Sequence, residues 1–144
     1  MHLLGHFCNT LMGQQRHLME TRLRVAVVGG DRSRQEDLAR RMGAGNRCQV
    51  VASVPADRAA VTLVQEEQPD LVLVWLESPL VEAMDIVQRI AEVCPRTEVW
   101  LVGDSPTEAY SPLARRWGAA GYLHWQDVEA RVRNVSTRHA VRNT

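Results

Sequence analysis

Between Pro69 and Pro79 the chain reads PDLVLVWLESP. Leu71 to Leu76 is an unbroken apolar run of strand length with turn signals on both sides. It is the most uniformly apolar run in the sequence. A strand reads this way when both of its faces are buried, as in a parallel sheet covered by helices. In such sheets the chemistry sits beyond the carboxyl ends of the strands. Trp75 stands at that end here, a large apolar ring where a polar group is expected.

The flanking sequence repeats the same unit. Arg22 to Val28, RLRVAVV, predicts a first strand closed by the tight turn Gly29-Gly30-Asp31. A helix follows to Met42, with Ser33 expected as its cap and Glu36 completing a capping box. Gly43 to Asn46 stops it. Cys48 to Val54 predicts a second strand, and Asp57 to Gln68 a second helix with Ala60, Leu63 and Val64 inward. After the Pro69–Pro79 stretch, a third helix reaches Val93 with Met84, Val87, Ile90 and Ala91 as its stripe. Glu98 to Val102 predicts the fourth strand. Thr107 to Trp117 predicts the fourth helix, with Asp104 or Ser105 as its cap. Gly121 to His124 is a short fifth strand, and Asp127 to about Arg138 a fifth helix with Val128, Val132 and Val135 inward. Five strand–helix units with short connections give an α/β three-layer sandwich: an open parallel sheet with helices on both faces. The expected organisation is a flexible or short helical extension over 1–21, one domain over 22–138 and a tail over 139–144.

Composition narrows the chemistry. The 144 residues carry 17 basic and 17 acidic side chains, for no formal net charge. No general attraction to nucleic acid or an anionic membrane follows. Every fixed basic residue is Arg, so a Schiff-base or P-loop lysine is excluded. Cys8, Cys48 and Cys94 are far apart and odd in number, which argues against a zinc site or a disulfide scaffold. A reducing, cytoplasmic setting is expected. No apolar run reaches the roughly 18 to 20 residues of a membrane span.

Three loops line the carboxyl edge: Gly29 to Arg32, Trp75 to Ser78, and Gly103 to Thr107. The glycine pair lacks both the dinucleotide fingerprint and the P-loop pattern. Asp31, Glu77 and Asp104 are the carboxylates within reach of a cation there, but none stands at a strand tip, and solvated loop acids or helix caps describe them better than ligands. No G-x-S-x-G elbow is present, and Ser78 and Ser105 have no evident base other than His124. Trp117, Tyr122 and Trp125 come from neighbouring late elements. They are read either as core, one by one, or together as an aromatic interface patch.

From Leu23 to Val135 the chain resembles the receiver domains of bacterial two-component response regulators. The stretches that carry the likeness are RVAVVGGD, PDLVLVWLESP, TEVWLVGDSP and GAAGYLHWQD. The last is similar to receivers that precede helix-turn-helix output domains. The resemblance implies a flavodoxin-like fold with strand order 2-1-3-4-5 and five helices. It also implies a phosphoacceptor aspartate where this chain has Trp75, and a magnesium-binding acidic pair where it has Gly29 and Gly30, with Asp31 just beyond. A Thr or Ser is implied where Gly103 stands, and a Lys where Trp125 stands. The aromatic switch position is kept as Tyr122. Without carboxylate, metal clamp or lysine, phosphoryl transfer loses its acceptor and its electrostatics.

The expected function is therefore that of a degenerate receiver, or pseudo-receiver. It would be a phosphorylation-independent interaction module in bacterial signal transduction or transcription regulation, with no catalytic residue, metal or cofactor. The degenerate pocket comprises Gly29, Gly30, Asp31, Trp75, Gly103 and Trp125. The resemblance implies a homodimer or a regulatory protein partner at the surface of the fourth helix, fifth strand and fifth helix. Arg115, Arg116, Trp117, Tyr122, Trp125, Arg131 and Arg133 are the candidate contacts there. Direct nucleic-acid binding is not expected. The alternative is a small-molecule sensor with a ligand cleft near Trp75.

Overall fold

The computed structural model describes residues 22–43, 48–77 and 80–132. The expected extension and tail, the loop 44–46, Arg133, Val135 and the end of the last helix lie outside them. In chain order the elements are β1 (Leu23–Val28), α1 (Arg32–Gly43), β2 (Cys48–Val54), α2 (Arg58–Glu67), β3 (Leu71–Trp75), α3 (Leu80–Val93), β4 (Glu98–Gly103), α4 (Thr107–Arg116) and β5 (Gly121–His124). A 3-10 turn, Trp125–Asp127, leads into α5, described over residues 128–132.

The strands form one parallel sheet in the order β2-β1-β3-β4-β5, the expected receiver-like order. All five residues of β3 are buried, as its apolar run requires. The period-2 alternation of a strand divides them between two layers. Val72 and Val74 pack with Val64 of α2, Val87 and Ile90 of α3, and Ala114 at the end of α4. Leu71, Leu73 and Trp75 pack with Leu38 and Met42 of α1 and with Val128 and Val132 of α5.

Local chemistry sets the helix starts, and two differ from expectation. The cap of α1 is Asp31, not Ser33: its Oδ1 accepts the Arg34 N–H at 2.8 Å. Gly29 and Gly30, at φ +84° and +81°, make the turn between β1 and that cap. At α4 neither Asp104 nor Ser105 caps; Pro106 takes the position without a side-chain bond. Both expected residues are engaged elsewhere. Asp57 caps α2 through the Ala60 N–H. Arg24 closes the other end of that helix, donating to the Glu67 carbonyl at 2.6 Å and pairing with its carboxylate at 2.9 Å. A cation at a helix C-terminus is favoured by the dipole.

Candidate functional site

Trp75 ends β3, one residue past the strand's last pairing with β1 and in register with Val102 of β4. Its side chain is only 2% exposed. The indole lies against the β1–α1 turn: a Cβ built on Gly30 would stand 2.8 Å from its Cδ1 and 3.1 Å from Nε1. Gly29 sits beside the Trp75 Cβ and the Ala56 methyl. Gly30 is thus required twice, by positive φ and by close approach, whereas Gly29 is required by positive φ alone. The Arg34 guanidinium covers the ring, with Cζ 5.3 Å from its centroid. Nε1 is buried and finds no acceptor among the described residues.

Two of the three carboxylates expected at this edge, Asp31 and Asp104, are committed. Asp31 caps α1. Asp104 pairs with Arg34 at 3.1 Å. Among the described residues no three His, Cys, Asp or Glu side chains come together as a metal-binding group. The divalent cation that the fold family implies does not fit this chain. Two glycines supply no ligand, the nearest acid is held by a backbone amide, and the indole takes the space beside them.

The six residues expected as one pocket separate into three settings. Gly29, Gly30 and Trp75 share one space, with Asp31 exposed at its rim. Gly103 faces Tyr122: a Cβ there would meet the phenol oxygen at 2.7 Å. That hydroxyl donates to the Ser105 carbonyl and accepts from the Ser105 N–H, both at 2.9 Å. Burial, with the Asp104 charge adding to it, pushes the Tyr122 hydroxyl above its ordinary pKa. Trp125 lies half-buried under the Arg41 guanidinium, 4.7 Å from its ring centroid, and ties α1 to the start of α5.

The aromatic interface patch does not form. Tyr122 and Trp117 are buried, in the layer with α2, α3 and α4. Trp125 packs at the margin of the opposite layer. Core formation puts Trp117 and Tyr122 on one face of the sheet and Trp125 on the other, so the three rings share no surface. Arg131 is likewise drawn inward, its guanidinium 4.8 Å over the Trp100 ring. Arg115 and Arg116 are exposed at the end of α4, as expected. Arg34, Asp104 and Ser105 are the residues that the sequence did not single out together. Their only signal is the position of Arg34, three residues past a capping aspartate and hence near the sheet edge.

No family model matches the chain. Over 104 residues it is 23% identical to the transcriptional regulatory protein DegU of Brevibacillus brevis. That match takes in 72% of this chain and 44% of the relative, so the chain spans less than half of that protein's length. Among solved structures, the signal receiver domain of the putative response regulator NarL from Mycobacterium tuberculosis superimposes with a TM-score of 0.68 at 20% identity. The superposition covers 81% of this chain and 97% of that one. A LuxR-family response regulator from Aurantimonas sp. SI85-9A1 gives 0.71 at 18% identity, covering 80% and 85%. The receiver domain of AraT from Geobacillus stearothermophilus gives 0.70 at 16% identity, covering 85% and 98%. The fold is the receiver fold.

Proposed function

We propose that this chain is a degenerate receiver domain that regulates by binding a protein rather than by accepting a phosphoryl group. The observation that carries the reading is the buried indole of Trp75, packed on Gly30 at the carboxyl end of β3. The resemblance puts an aspartate at that position. An indole N–H is a weak donor and no nucleophile. The cation and lysine that would support phosphoryl transfer have no counterparts in Gly29, Gly30 and Trp125.

The docking face is the outer surface of α4, β5 and α5, where a regulatory protein or a second copy would bind. Trp117 and Tyr122, being buried, do not contribute to it. Ala109, Pro112, Arg115 and Arg116 are exposed along α4, and the two arginines suit acidic groups on a partner. The setting is bacterial signalling in the cytoplasm, without direct nucleic-acid contact. No helix among the described residues is long and apolar enough to cross a membrane. The second reading, a ligand cleft at Trp75, draws on the unpartnered Nε1; Gly30 and Arg34 lying against the ring weigh against it.

The test is incubation of the purified chain with a small phosphodonor and magnesium, followed by intact mass. No phosphoryl adduct is expected. An adduct lost on Asp31→Asn or Asp104→Asn overturns the reading.

A further inference from the structure

Two loops meet over Trp75. From one side Arg34, in the first turn of α1, lays its guanidinium on the indole. Its backbone is held there by the Asp31 carboxylate. From the other side Asp104, in the loop from β4 to α4, pairs with the same guanidinium at 3.1 Å. The next residue, Ser105, is gripped through both its N–H and its carbonyl by the Tyr122 hydroxyl of β5. The Tyr122 ring rests 5.4 Å from the ring of Tyr110 in α4. Gly103 leaves room for that phenol. One unbroken path of contacts therefore runs from the end of β3 to α4 and β5.

We propose that Arg34 is a positioning residue. It straps the β1–α1 turn to the β4–α4 loop across the indole of Trp75. Through Asp104, Ser105 and Tyr122 it fixes α4 against β5. The inference rests on reading α4, β5 and α5 as the docking face, and names what holds that face in one arrangement: an ion pair stacked on an aromatic ring. The ionic half is open to solvent, since the Arg34 and Asp104 side chains are 42% and 58% exposed. Salt screens such a pair. The stacked half keeps the guanidinium over the ring while the pair opens and closes.

The test is amide hydrogen exchange, read by mass spectrometry on the full chain and on Arg34→Met, Arg34→Lys and Asp104→Asn. Peptides spanning residues 104–110 should exchange about three- to tenfold faster in the Met and Asn variants. Arg34→Lys, which keeps the charge and loses the planar stack, should fall between. High salt should move the unaltered chain toward the variants and leave Arg34→Met unmoved. Loosening confined to residues 31–35, or wild-type exchange at 104–110 indifferent to salt, overturns the proposal. No phosphodonor is present, so phosphoryl uptake in the earlier experiment would sink that reading and leave this result standing.

Discussion

The indole of Trp75 occupies the space that a side chain on Gly30 would need: the two would approach to 2.8 Å. Gly30 also holds φ at +81°. The pair is one unit, since the glycine admits the ring and the ring excludes any other residue. Gly30→Ala should therefore cost about 2–3 kcal/mol, from overpacking and from backbone strain together. Equilibrium urea unfolding measures it. In a Trp75→Leu background the same change should cost clearly less, because neighbours in contact are not additive.

Restoring the family's acid should not restore its chemistry. Trp75→Asp removes a buried ring and places a carboxylate among Leu73, Val27 and Val102. Trp-to-small changes alone cost about 3–5 kcal/mol, and the nearby Arg34 guanidinium offsets only part of the cost of burying a carboxylate there. This is a large share of the roughly 5–15 kcal/mol that holds a domain together. Circular dichroism melts should show a large loss of stability, and intact mass no phosphoryl uptake.

Gly103 and Tyr122 form the second such unit. Gly103→Ala should expel the phenol and release Ser105, at about 1–3 kcal/mol. Tyr122→Phe, which strips Ser105 of both bonds, should cost about 1–2 kcal/mol. The double variant should lose less than the sum, because either change alone already breaks the contact. Denaturant midpoints of the four proteins close the cycle.

Tyr122 also predicts how stability depends on alkali. Burial raises its folded pKa above the ordinary phenol value. The folded state then keeps a proton that the unfolded chain gives up near pH 10. Stability from this group is full below that value and falls as pH rises through the window up to the folded pKa. Tyr122→Phe should flatten the fall in unfolding free energy above pH 10, measured by urea titration at fixed temperature.

The fold was legible because its signals are local and strong. The apolar run of β3, the Asp57 cap, and the glycines and prolines that punctuate the helices place each boundary among the described residues within a residue or two. The central substitution was also legible, because strand ends can be counted. What escaped is the set of contacts made by exposed polar residues. Asp31 displaced Ser33 as a cap because α1 starts at Arg32, two residues earlier than a Ser33 cap implies, which puts Asp31 at the capping position. Asp104 left its expected capping role for Arg34, a partner from another loop. Trp117, Tyr122 and Trp125 looked contiguous along the chain, but Trp117 and Tyr122 belong to one layer and Trp125 to the other. Sequence adjacency cannot choose between a shared surface and two separate cores.

The most direct measurement is the exchange rate of the Trp75 indole N–H in a nitrogen-15 spectrum of the intact chain, assigned by its loss in Trp75→Phe. A ring sealed between Gly30 and Arg34 predicts slow exchange, comparable with core amides and unchanged by added magnesium. Exchange as fast as free tryptophan, or a resonance that shifts and saturates with magnesium, would mean an open, cation-holding edge and contradict the account.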